Sequence, residues 1–111
     1  MYEKLTLWGC NTDEALERFV GDRELYVTCL HLFVSDVFFV SLGEALQSKN
    51  YKLAFEAVHT LKGVAGNVSA NPLFILIDSM ATKIRNTEYA ELDEDYQNVM
   101  RLRSELEAIL N

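Results

Sequence analysis

Between Phe55 and Asn67 the chain keeps a helical period while carrying two glycines inside it, and this stretch constrains the fold more than any other. At about 100° per residue, Ala54, Ala57, Val58, Leu61, Val64, Ala65 and Val68 gather on one face. That face is roughly 120° wide, the width of a stripe that packs against a core. His59 points the other way, roughly 160–180° from Leu61. Lys52, Phe55, Gly63 and Gly66 surround it, with Lys62 and Glu56 to either side. The histidine is therefore placed on the solvent side, beside a surface reduced to backbone.

Each glycine inside a helix costs about 1 kcal/mol relative to alanine, and both lie on the His59 side. Two such costs on one stripe point to another molecule that has to come close to the imidazole. Gly66 also admits a second reading, as part of a helix C-terminus, where glycine is common. A lone surface histidine is ordinarily just solvated; Lys62 one turn on and Gly63 beside it favour a functional role.

The other segments carry the same period. Leu5–Trp8 is a lead-in with no clear assignment. Asn11 reads as an N-cap with Glu14 in the capping-box position, opening a helix that runs to about Val20 and stops at Gly21. Asp22 caps a longer helix in which Tyr26, Leu30, Phe33, Val37 and Val40 are spaced to face inward. Ser35-Asp36 is placed to kink or interrupt it, because both side chains compete for backbone bonds. After the polar loop Gln47–Asn50 comes the His59 helix, Tyr51 to Asn67. Either Ser69 or Asn71 caps the next helix, with Pro72 tolerated in its first turn. That helix shows Leu73, Leu76, Ile77, Met80 and Ile84 on one side and ends near Asn86. A last helix follows Thr87–Glu91 with Leu92, Tyr96, Val99, Leu106 and Ile109 inward. No window alternates like a strand bounded by hairpin turns. Short connections between amphipathic helices imply an all-α fold, an antiparallel up-down four-helix bundle with a short additional N-terminal helix.

A chain of 111 residues reads as one domain, residues 1–111. Half its residues are apolar, enough for a core without disulfide staples. A net charge of −7 argues against nucleic acid, which demands a basic footprint. Cys10 and Cys29 have neither metal nor disulfide-framework spacing and read as reduced thiols. No signal peptide is expected, because Met1–Leu5 has no long apolar region behind it, and uninterrupted apolar runs such as Val37–Val40 are far short of a membrane span. The expected setting is a cytoplasmic module without direct membrane contact.

Other chemistries find little support. Glu56-Ala57-Val58-His59 has the Glu-x-x-His spacing of di-iron bundles. Such a site needs a second copy, yet His31 has Thr28 at the matching position, and His59 points outward. His31 lies among Leu30, Leu32 and Phe33 and reads as a structural histidine. Cys29 falls in an apolar stripe and reads as inert. No nucleophile elbow, P-loop or dinucleotide fingerprint is present, so nothing visible binds ATP. No metal or cofactor of the chain's own is expected.

His59-Thr60-Leu61-Lys62-Gly63-Val64-Ala65-Gly66-Asn67-Val68 resembles the signature of the histidine-containing phosphotransfer (HPt) domains of multistep two-component phosphorelays. The similarity takes in Gly21–Tyr26 upstream and the Leu73 region downstream, from about Asp13 to Arg85. Ser69 stands where the family usually has a glycine, and Ala81 where some members have a glutamine that positions the histidine or the phosphoryl group.

The resemblance implies that His59 accepts a phosphoryl group from a receiver-domain aspartate and passes it to another receiver, reversibly. An imidazole, mostly neutral at pH 7, can attack phosphorus without a catalytic base. Lys62 is placed to supply positive charge beside it. The receiver, of a hybrid sensor kinase or a response regulator, brings the aspartyl phosphate and a bound Mg²⁺. Gly63 and Gly66 would let it close over His59, with Lys52, Phe55, Glu56 and Arg85 as contacts. The chain is expected to be a monomer, either free-standing or the cytoplasmic end of a membrane-bound sensor kinase. The alternative is a non-catalytic helical module that docks a receiver or kinase domain through the same face.

Overall fold

Polar breaks separate the helices, and three of the breaks carry a side chain that closes the first turn of the helix that follows. Asn11 Oδ1 accepts from the Glu14 amide at 3.1 Å, Asp22 Oδ1 from Leu25 at 3.0 Å and Asn50 Oδ1 from Leu53 at 3.2 Å. The computed structural model describes all residues, Met1–Asn111. Its helices are α1 (Tyr2–Trp8), α2 (Thr12–Arg18), α3 (Arg23–Val34), α4 (Phe38–Gln47), α5 (Tyr51–Asn67), α6 (Asn71–Arg85) and α7 (Leu92–Leu110). The only extended pairing is an isolated bridge between Cys10 and Ala70.

The chain breaks between α3 and α4, where Asp36 Oδ1 accepts from the Phe38 amide at 2.9 Å. Arg103 of α7 takes up the freed Val34 carbonyl at 2.6 Å. The break resets the helical phase. Tyr26, Leu30 and Phe33 are buried as the spacing predicts, but beyond it Phe39 and Leu42 turn inward. Val37 and Val40 are 72% and 53% exposed, which corrects their expected place in the core. His31 is likewise exposed and holds no structural position.

Arg23–Gln47 spans 25 residues of mean hydropathy 1.8 and is the one stretch long and apolar enough to cross a membrane. Uninterrupted apolar runs understate this window. In the fold it is two helices with Asp36 between them, and its Tyr26, Leu30, Phe33, Phe39 and Leu42 are core.

α4 packs on α5, α5 on α6, α6 on α7, and α7 returns to α3 and α4, closing a four-membered ring with α3 and α4 as one broken member. Short connections make successive members antiparallel. Two short helices stand before the ring where the pattern suggested one, because Leu5–Trp8 belongs to α1. α1 rests on α7, α2 on α3, and Trp8 Nε1 donates to Glu105 Oε1 at 3.1 Å.

α6 starts without a side-chain cap, so neither Ser69 nor Asn71 plays that part. Ser69 has φ 53°, the left-handed conformation that favours glycine. Its hydroxyl accepts from Arg18 Nη1 at 3.3 Å, and the same guanidinium donates to the Asn67 carbonyl at 2.6 Å. Tyr26 Oη donates to the Val68 carbonyl at 2.8 Å. The C-terminal end of α5 is thus closed by α2 and α3, and this sets the angle at which α6 leaves.

Candidate functional site

Ala54, Ala57, Val58, Leu61 and Ala65 of α5 are buried, and the same rotation leaves His59 exposed. Its ring lies nearly parallel to that of Phe55, centroids 6.2 Å apart and planes 14° off. Arg85 of α6 reaches back over Phe55, its Cζ 5.8 Å from the ring centroid, within range of a cation–π contact. Lys52, Phe55, Glu56 and Arg85 line one shallow hollow, floored by Ile84. These expected contact residues are therefore brought together beside the histidine.

The two glycines differ. A Cβ built on Gly63 would meet nothing within 4 Å, so the chain's own packing does not require glycine there. A Cβ on Gly66 would sit 3.5 Å from the ring of Phe74, in ordinary contact. Gly66 is thus half-buried beside an α6 side chain rather than an extension of the clearance around His59. It lies in the last turn of α5, and its carbonyl accepts from the Ser69 amide at 3.2 Å.

Lys62 leans toward α6. Its Nζ lies 3.3 Å from Asp78 Oδ1, with 30% of the lysine side chain and 50% of the aspartate side chain exposed. Residues three apart on a helix are neighbours, so the ammonium group stays beside the His59 turn while already engaged by a carboxylate. Sequence reasoning missed Asp78, yet a signal existed. α5 and α6 run antiparallel about Ala70, so residues equally far from Ala70 face each other. Lys62 and Asp78 are such a pair, as are Gly66 with Phe74 and Phe55 with Arg85. His59 pairs in this way with Ala81, which is buried and offers only a methyl group. α6 therefore supplies no hydrogen-bond partner to the imidazole from that position.

An apolar groove runs along the C-terminal half of α5, lined by Phe19, Cys29, Leu32, Phe33, Val64 and Val68 among others. No three His, Cys, Asp or Glu side chains approach closely enough to hold a metal ion, and Glu56 and His59 have no second pair facing them.

The arrangement offers a nucleophilic ring open to solvent, a cation one turn away and a bare patch of backbone at Gly63 beside the ring. The family model described as Hpt domain matches residues 35–111. It begins at the break before α4 and takes in α4 to α7, including all of the His59 helix. Gly21–Tyr26 lies outside the matched part, and the match continues past Arg85 to the end of α7. Searches of curated proteins and of solved structures returned no match. Hpt domains are helical phosphorelay modules that interact with receiver domains. With well over half of its length inside the match, this chain belongs to the Hpt domain family, the histidine phosphotransfer modules of two-component phosphorelays.

Proposed function

We propose that His59 is the phosphoacceptor, taking a phosphoryl group from an aspartate of one receiver domain and handing it to another. The observation that carries this is the exposed ring beside Gly63, where even a Cβ would meet open space. A ring nitrogen attacks phosphorus in line. The new N–P bond forms as the P–O bond to the aspartate breaks, and the carboxylate leaves with its electron pair. Phosphoryl transfer rests on such positioning and on neutralising the phosphoryl oxygens. Lys62 is the cation of this chain that meets the phosphoryl group once it is on His59, and Mg²⁺ supplies the neutralising charge from the receiver. Arg85, held over Phe55, adds a second cation at the rim. The groove that opens at Val64, next to Gly63 in the chain, gives the receiver an apolar surface to settle on. The setting is the cytoplasm, where such receivers operate.

Incubation with a phosphorylated receiver domain is the test. The reading predicts an acid-labile, base-stable label on this chain that is lost in His59→Gln with helicity intact. A module that only docks would bind the receiver and take no label. Label retained in His59→Gln would put the chemistry on another residue.

A further inference from the structure

The Lys62–Asp78 pair spans the gap between the His59 helix and its neighbour, and the family match assigns it no role. In the resting chain the ammonium group nearest the histidine along α5 is not free: Asp78 Oδ1 holds it at 3.3 Å. Both side chains remain partly open to water, so the pair can exchange partners at little cost. A phosphoryl group on His59 brings negative charge and three acceptor oxygens to within reach of the same lysine. Lysine is a compact point charge on a flexible stem and can turn from one acceptor to the other. The carboxylate and the phosphoryl group therefore compete for one cation. They also repel each other across the gap between α5 and α6.

We infer that Asp78 is a positioning residue that sets how long the phosphorylated state of His59 lasts, by withholding Lys62 from the phosphoryl group. The inference rests on His59 being the phosphoacceptor. When water or an acceptor carboxylate attacks phosphorus, the N–P bond breaks and the imidazole leaves with its electron pair. In a loose transition state the phosphoryl oxygens give up negative charge as that bond opens. A cation beside them stabilises the starting phosphohistidine more than the transition state, and an anion does the reverse. Asp78 thus keeps the group labile and ready to be passed on. Its removal would make a store of what is otherwise a relay.

Potassium phosphoramidate is a suitable probe because it needs no partner protein. The imidazole attacks its phosphorus, the donor's N–P bond breaks and ammonia leaves, so phosphohistidine forms directly. After removal of the donor, ³¹P NMR follows its decay in wild-type, Asp78→Asn, Asp78→Glu, Lys62→Met and the Lys62→Met/Asp78→Asn double variant. The expected result is a lifetime at least about threefold longer in Asp78→Asn, the scale of a partly exposed charge interaction, and a lifetime within about twofold of wild-type in Asp78→Glu. In the Lys62→Met background the Asp78→Asn substitution should change the lifetime by less than about twofold. A lifetime in Asp78→Asn below the threefold mark overturns the inference. So does a loss of the Asp78→Glu rescue, or an effect that persists above twofold without Lys62. Those results leave the phosphoacceptor reading standing. No phosphohistidine at all on the wild-type chain overturns both.

Discussion

Gly43 and Gly63 both sit inside helices, yet they are expected to answer the same substitution in opposite directions. A Cβ on Gly63 meets open space, so Gly63→Ala should raise stability by up to about 1 kcal/mol through helix propensity alone. A Cβ on Gly43 would lie 2.6 Å from Cζ of Tyr96, whose hydroxyl donates to the Phe39 carbonyl at 2.9 Å. Gly43→Ala would push that ring off its hydrogen bond and should cost about 1–3 kcal/mol. Denaturant melts of the two variants check both signs. Gly63→Gln should leave the bundle folded while slowing transfer from a receiver by at least about tenfold, because its side chain occupies the approach to His59. An unchanged transfer rate would mean that no partner closes over this patch. The residues of this face were legible because outward placement on a helix needs only the period. His59, Lys62 and Gly63 stand where the 100° step puts them. Gly66 and Asp78 were not, because what covers the one and holds the other is set by the register of α6 against α5. That register depends on where the turn at Ala70 falls, and no single-helix pattern contains it.

The Tyr51–Asn67 bounds of α5 were legible in the sequence, but the groups that close its far end, which come from elsewhere in the chain, were not. Asn11, Asp22 and Asn50 cap from within their own segments. The end of α5 is closed instead by Arg18, 49 residues before Asn67, and by Tyr26, 42 residues before Val68. Ser69 keeps its left-handed turn under these bonds although a glycine would adopt it more readily. Arg18→Ala should therefore cost about 1–3 kcal/mol, the range for removing a charged donor from backbone carbonyls. Hydrogen exchange should show the loss first at the C-terminal turn of α5. A melt unchanged from wild-type would mean that water replaces the guanidinium there. The phase shift at Ser35–Val37 has the same origin. The break itself was legible from Ser35-Asp36, but the rotation between α3 and α4 is fixed by Arg103 and Tyr96 of α7. That is why Val37 and Val40 face water in place of the core positions their spacing suggested.

For the molecule as a whole, the groups that shift all hold their protons more tightly than usual, the cysteine and tyrosines through burial and the lysine through a hydrogen bond that outweighs its burial. Desolvation raises the Cys10 thiol from 9.0 to about 11, against a smaller lowering by the Tyr26 hydroxyl. Desolvation likewise pushes Tyr26 well above the ordinary tyrosine range and raises Tyr96. Lys83 is raised chiefly by its hydrogen bond to Asp95, at 2.8 Å. A group that holds its proton more tightly when folded supports the fold fully below its unfolded pKa. That support is lost as pH rises through the folded value. Stability should accordingly fall from about pH 9 upward, and Cys10→Ala should flatten the slope between about 9 and 11. Equilibrium unfolding across that range checks it; a slope unchanged by Cys10→Ala would remove the thiol from the account. The four-membered ring was legible because each member carries its own stripe. The two helices before it were less so, since α1 is short and is held chiefly by what it meets on α7.

Every part of the site depends on His59 standing in solvent with room beside it for another protein. The most direct measurement is label transfer from a phosphorylated receiver domain to the wild-type chain and to His59→Gln at matched helicity. Acid-labile, base-stable phosphate on the wild-type chain alone is the predicted result. Equal label on both chains, or none on either while the receiver still binds, would contradict it.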